Sequence, residues 1–203
     1  MAGFQLMDTT NGLLNEKYWD NRWQSSQTGW DLNGVSPPLQ AYIDTVTNKD
    51  VSILIPGCGN AYEAQYLVLK GFKNITLIDI SETLVDQLRK KPELEKVAIL
   101  HSDFFAHHLH YDLILEQTFF CALHPSQRRN YVKHMHSLLN KNGKLAGLLF
   151  DKIFEADGPP FGGTKQEYQD LFEPYFDILR FEPCTNSIEP RLGSELFIEF
   201  RKK

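Results

Sequence analysis

Disulfide chemistry has little to work with in this chain, whose 203 residues include three cysteines, Cys58, Cys121 and Cys184. They are odd in number, far apart and form no Cys-x-x-Cys pair, which argues against a disulfide framework and a zinc ribbon. A reduced, cytoplasmic setting fits such usage. Long apolar runs are also missing. No stretch approaches the ~18 apolar residues of a membrane span. Met1 to Leu14 lacks a basic segment followed by an apolar run, so no signal peptide is expected. Basic charge is short as well: 21 Lys and Arg stand against 26 Asp and Glu, a net charge of −5. A nucleic-acid or anionic-membrane partner needs a basic face and is not expected. Internal repeats, low-complexity segments and long charge runs are absent, which excludes solenoid, coiled-coil and disordered classes.

What is present is ordinary globular composition, 42% hydrophobic and 23% charged, with a rich 12% of aromatics. The length suits one domain with its own core. Asn15 is placed to cap a helix over 16–24, on which Trp19 and Trp23 share a face. Ser36-Pro37-Pro38 reads as the start of a helix through Val46. From residue 51 short apolar runs alternate with helical patterns. Strands are expected at 51–55, 75–78, 97–100, 112–116 and 144–150, with helices at about 64–70, 81–90 and 125–139. Near-continuous apolar strands between helices mean a parallel sheet covered on both faces. After a helix at 166–172, the runs 176–181 and 196–200 have no helix between them and read as an antiparallel pair at the sheet edge. The expected architecture is one α/β domain over 1–203, an N-terminal extension (1–48) preceding a doubly wound, mostly parallel seven-stranded core (49–203).

Gly57-Cys58-Gly59 lies between the first strand and its helix. Glycines allow a sharp turn and close ligand approach, and the helix start beyond offers free N–H groups. Asp79 closes the second strand about 20 residues further on, where a right-handed βαβ unit brings its carboxylate beside the glycine turn to accept from ribose hydroxyls. Together these favour a nucleoside ligand. A dinucleotide needs a third glycine where Tyr62 stands, and its pyrophosphate would be crowded there. S-adenosylmethionine carries no phosphate and tolerates Tyr62. At the end of the third strand, Asp103 is placed to accept from an adenine amino group and Phe104 to pack on the ring.

Several segments together resemble the thiopurine S-methyltransferase superfamily, which includes the plant-type halide/thiol methyltransferases. They are Tyr18-Trp-Asp-Asn-Arg-Trp23, Thr28-Gly-Trp-Asp31 with Ser36-Pro-Pro-Leu39, Pro56-Gly-Cys-Gly59, Ile78-Asp-Ile-Ser81, Asp103-Phe-Phe105, Tyr111-Asp-Leu-Ile114, Thr118-Phe-Phe-Cys-Ala-Leu123 and Gly158-Pro-Pro-Phe161. The resemblance runs from about residue 15 to 200. It implies a class I methyltransferase (Rossmann-like) fold, S-adenosylmethionine as donor and a small sulfur or halide acceptor. It further implies an N-terminal lid whose Trp19, Trp23 and Trp30 cover the cofactor, with Gly57, Gly59, Asp79, Asp103 and Phe104 holding it. Gln117 stands where plant-type relatives carry a tyrosine that contacts the cofactor.

Methyl transfer from a sulfonium to a thiolate or halide is a displacement that needs positioning and exclusion of water more than a base. A thiol with pKa near ~8.5 supplies some thiolate at neutral pH. Glu116, Asp31, Asp151 and His124 read as structural groups; no dedicated base stands out. Phe119 and Phe120 are expected on the acceptor-side wall, beside the loop Gly158-Pro-Pro-Phe161. Arg191 reads either as a guide for an anionic acceptor or as a surface arginine. Glu63 reads either as a partner for the cofactor's ammonium or as an exposed carboxylate favouring a helix start. His107-His108-Leu-His110 lacks ligand spacing and reads as a solvated loop, so no metal is expected. A monomer is expected.

Overall fold

A computed structural model describes residues 14–155 and 157–203. The elements in chain order are α1 (Glu16–Gln24), α2 (Pro37–Thr45), β1 (Ser52–Pro56), α3 (Tyr62–Leu69), β2 (Asn74–Asp79), α4 (Glu82–Leu88), β3 (Ala98–His101), β4 (Tyr111–Gln117), α5 (Arg128–Leu138), β5 (Leu139–Phe150), α6 (Lys165–Phe172), β6 (Phe176–Pro183) and β7 (Glu195–Lys202). The strands form a seven-stranded sheet in the order β3-β2-β1-β4-β5-β7-β6. β1 to β5 pair in parallel, and β7 lies antiparallel to both β5 and β6.

Side-chain alternation along the central strands divides the core in two. Ile53, Ile55, Leu113 and Leu115 pack on one face with Leu39 and Ile43 of α2, Leu67 of α3 and Leu84 of α4. Leu54 and Ile114 pack on the other with Tyr131 and Met135 of α5 and Phe172 of α6. Both faces are covered, which is why the strands carry few polar residues.

Chain order runs outward from β1 to β3, then returns to place β4 on the other side of β1. The strand ends therefore open a crevice between β1 and β4, where ligands of such sheets bind.

α1 holds its place without a fully buried residue. The Asn15 side chain accepts the Tyr18 N–H at 3.1 Å and starts the helix. Asp20 then accepts from the Ser81 hydroxyl and the Thr83 N–H, each at 2.8 Å, which fastens α1 to the start of α4. Ser81 caps α4 by accepting the Leu84 N–H.

Several boundaries shift from the sequence expectation, and at two element starts the local structure differs. Ser36 sits at the start of α2 but makes no side-chain cap; Pro37 and Pro38 supply the helical φ instead. β5 begins at Leu139 rather than Lys144, with a register shift between Tyr111 and Leu113 that lets 140–143 bulge outward. Asn142 takes φ 63° there. No helix among the described residues is long and apolar enough to cross a membrane.

Candidate active site

The end of β1 turns sharply because Gly57 and Gly59 adopt φ 57° and 50°. The Gly57 N–H donates to the Ile78 carbonyl at 2.8 Å, which locks the turn to the end of β2. A Cβ on Gly59 would meet nothing within 4 Å, so its bare face opens into space. Asp79 stands beside it. Its carboxylate accepts the Ser81 N–H at 2.9 Å, with further backbone donors from Ile80 and Gly59. Burial pushes its pKa up to about 6 against the pull of those donors.

A cavity of about 660 Å³ covers this turn. Trp19, Trp23 and Trp30 line it from the N-terminal segment. Their rings meet edge to face, Trp30 lying 5.7 Å from Trp19 and 5.9 Å from Trp23. Asp103 and Phe104 line it beyond β3, and Gln117, Phe119 and Arg191 line it on the side of β4 to β7. Asp103 accepts the Phe105 N–H at 2.9 Å, and Phe104 meets the Phe119 ring edge-on at 5.1 Å.

Phe120 falls outside this group. It is buried among Tyr131, Tyr168 and Phe172 and belongs to the core rather than to the acceptor-side wall. Of the two, Phe119 lines the cavity; it follows Thr118, which takes a left-handed φ of 59°.

Arg191 is not a surface arginine. It is 9% exposed, donates to the Trp30 carbonyl at 2.8 Å, pairs with Glu195 at 3.4 Å and lies over the Phe150 ring. Glu63 is likewise not an exposed carboxylate. It is buried on the cavity lining and accepts the Ser36 N–H at 3.0 Å, and burial raises its pKa. His107 is buried against the Tyr111 hydroxyl at 2.7 Å, whereas His108 and His110 are exposed. Among the described residues no His, Cys, Asp and Glu side chains cluster to hold a metal ion.

Glu116, fully buried in β4, accepts the Phe119 N–H at 2.7 Å, the Phe120 N–H at 2.9 Å and the Tyr131 hydroxyl. Burial pushes its pKa up to about 7. These three donors make it a brace for the 118–120 turn. Asp31, held by Asn60 and the Asn33 N–H, and Asp151, which accepts the Lys165 N–H, are engaged in the same way. Lys152, Phe154, Pro159 and Pro160 also line the cavity. Only the neighbourhood of Gly158-Pro-Pro-Phe161 carried a sequence signal for them.

Three observations fit S-adenosylmethionine. The open face of Gly59 admits a ligand without a clash. Asp79 presents a carboxylate suited to ribose hydroxyls. Both amide atoms of Gln117 are buried with no partner in the protein, at a cost of roughly 1–3 kcal/mol per group that a polar ligand would relieve.

The model of the thiopurine S-methyltransferase family matches residues 14–196. The chain is similar to a probable thiol methyltransferase of Arabidopsis thaliana, 29% identical over 91% of this chain and 84% of the relative. It is also similar to a thiopurine S-methyltransferase of Vibrio campbellii, 26% identical over 80% and 84%. Its fold matches a Burkholderia thailandensis 1,6-didemethyltoxoflavin-N1-methyltransferase bound to S-adenosylhomocysteine, with TM-score 0.73 at 16% identity over 100% of this chain and 93% of that one. A Synechocystis magnesium protoporphyrin IX methyltransferase with bound S-adenosylmethionine matches with TM-score 0.70 at 15% identity, over 100% of both chains. The chain belongs to the thiopurine S-methyltransferase family and is an S-adenosylmethionine-dependent methyltransferase.

Proposed function

We propose that this methyltransferase acts on a small sulfur nucleophile, a thiol, thiocyanate or thiopurine, or on a halide. The observation that carries this reading is the buried cation of Arg191 on the cavity lining, its guanidinium against the Trp30 carbonyl and the Phe150 ring, with Phe119 and Phe154 lining the same cavity. An apolar wall strips water from a soft anion, and a guanidinium draws the anion in. Each carboxylate on the lining already accepts an N–H: Asp31 from Asn33, Glu63 from Ser36, Asp79 from Ser81 and Asp103 from Phe105. Such a site suits acceptors that arrive deprotonated.

S-adenosylmethionine supplies a methyl group on positively charged sulfur; the acceptor's electron pair bonds to that carbon while the carbon–sulfur pair stays on the departing thioether. The residues provide position and dryness. Asp79 takes the ribose hydroxyls, Gly59 leaves room beside the turn, and Asp103 with Phe104 borders the adenine. Trp19, Trp23 and Trp30 close over the cofactor, their ring faces favourable to positive charge. Residues 14–48 act as a lid on the core, one functional unit with it; residues 1–13 of the expected extension lie outside the described residues. We further propose that the enzyme is a cytoplasmic monomer; its cysteines are all free and buried, which supports a reducing compartment.

The test is an acceptor screen with methyl-labelled cofactor across thiols, thiocyanate, iodide and thiopurines. Label in any of these products supports the reading. Transfer confined to oxygen or nitrogen acceptors, with an enzyme group titrating in the rate profile, overturns it.

A further inference from the structure

The three tryptophans of the chain all lie in the N-terminal lid, Trp19 and Trp23 on α1 and Trp30 beyond it. α1 has no fully buried residue, and both of its tryptophans are half-buried. Apolar packing thus gives this helix only part of its hold on the core. Polar contacts supply the rest, and they converge on one place. Asp20 Oδ1 accepts the Ser81 hydroxyl and the Thr83 N–H, each at 2.8 Å. Gln24 Nε2 donates to the other Asp20 oxygen at 2.6 Å and to the Thr83 hydroxyl at 3.2 Å. Glu16 Oε1 lies 3.2 Å from His101 Nε2, which also reaches the Ile80 carbonyl at 3.1 Å. Ile80, Ser81 and Thr83 follow closely on Asp79, and His101 is the register partner of Asp79 on β3.

Ser81 joins the two acids. Its N–H donates to Asp79 at 2.9 Å and its hydroxyl donates to Asp20. The hydroxyl oxygen also accepts the Leu84 N–H, so its proton is left for Asp20. Ser81 is fully buried, which shelters the link from competing water. Asp20 itself does not line the cavity, whereas Trp19 and Trp23 on the same helix do. The rest of the lid is held elsewhere: Arg191 donates to the Trp30 carbonyl and Asn60 to Asp31. Losing the Asp20 contacts therefore frees α1 while Trp30 keeps its own tie. We propose that Asp20 is a positioning residue: through Ser81 and Thr83 it moors α1 to the strand end that carries Asp79, holds Trp19 and Trp23 over the cofactor and sets the rate at which the cofactor leaves. The inference rests on the lid reading above and names the contact that must break for the lid to lift.

Because every tryptophan is in the lid, intrinsic fluorescence reports on the lid alone. Stopped-flow tryptophan fluorescence on the full chain, at increasing S-adenosylhomocysteine, gives the association and release rates, and calorimetry gives the affinity. Asp20→Ala is expected to release S-adenosylhomocysteine roughly tenfold faster, the scale of one hydrogen bond to a charged group, with an equal loss of affinity and little change in association. Asp20→Asn keeps an acceptor oxygen without the charge and is expected to fall between Asp20→Ala and wild type. Thermal melting of the unliganded proteins checks folding; if Asp20→Ala does not fold, Asp20→Asn carries the test. A lowered melting temperature with an unchanged release rate makes Asp20 a structural tie and overturns the proposal alone. A wild type whose tryptophan emission does not respond to bound S-adenosylhomocysteine overturns the lid reading, and the proposal with it.

Discussion

The Phe119 ring occupies the space that a side chain on Gly57 would need: a Cβ built there lies 2.4 Å from Phe119 Cδ2. The first glycine of the turn thus serves packing between β1 and the end of β4, whereas Gly59 faces open space. The two glycines share a left-handed φ but not a role. Gly59→Ala should lose about 1–2 kcal/mol, the cost of a left-handed non-glycine residue. Gly57→Ala should lose clearly more, since Phe119 must also move. Urea denaturation of the two variants compares them, and equal losses would remove the packing role assigned to Gly57.

Asp79 ties cofactor affinity to pH. Its pKa stands at about 6 against an ordinary 3.8, so the folded protein holds this proton longer than the unfolded chain does. The unfavourable burial is absent below 3.8 and grows as pH rises through 6, so stability from this group falls over that window. The ionised carboxylate accepts from both ribose hydroxyls, whereas protonation turns one of its oxygens into a donor and removes the charge, so cofactor affinity runs the other way. S-adenosylhomocysteine should bind roughly tenfold more weakly at pH 5 than at pH 7 if the protonated form does not bind. Asp79→Asn should flatten that dependence, and Asp79→Ala should cost roughly 1–3 kcal/mol of binding at neutral pH. Titration calorimetry across this range decides; a wild-type profile identical to that of Asp79→Asn takes the carboxylate out of the site.

Trp30 gives the cleaner test of the lid. Trp23 packs against the hydrophobic core as well as against Trp30, so truncating it mixes two effects. Trp30→Ala leaves the main-chain carbonyl that Arg191 holds. Turnover should fall by more than roughly tenfold, while the melting point should drop by less than about 4 °C, the shift expected of roughly 1 kcal/mol in a chain this size. A large melting shift with proportionate loss of turnover would make Trp30 a core residue.

Glu116 should show its burial in stability. Its pKa, about 7 rather than 4.5, means a penalty absent below 4.5 that grows as pH rises through 7. Glu116→Gln keeps an acceptor oxygen for the Phe119 and Phe120 N–H groups and carries no charge. The variant should gain stability relative to wild type between pH 5 and pH 8. Melting curves at intervals across that range test this, and a constant difference would contradict it.

The fold was legible because it is written in local signals. Asn15 and Ser81 cap the helices they precede, and the apolar runs match strands buried on both faces. Cavity-lining residues were legible at Gly59 and Asp79, where chemistry and spacing coincide, and at the tryptophans through the family resemblance. The failures share a physical cause, contacts between residues distant in sequence. Glu63 finds the Ser36 N–H across 27 positions and Arg191 the Trp30 carbonyl across 161, and neither partner leaves a local pattern. Phe119 and Phe120 are adjacent and alike in type. A short 3₁₀ turn begins at Phe120, and there one faces the cavity and the other the core.

The most direct test of the account is to incubate the protein with methyl-labelled S-adenosylmethionine and sodium thiocyanate, thiols or iodide, and to follow label in the volatile or extractable product. The account predicts labelled methyl thiocyanate, methyl thioether or methyl iodide accumulating linearly with enzyme and time, matched by S-adenosylhomocysteine. Tight binding of the cofactor with no label in any sulfur or halide product would contradict it.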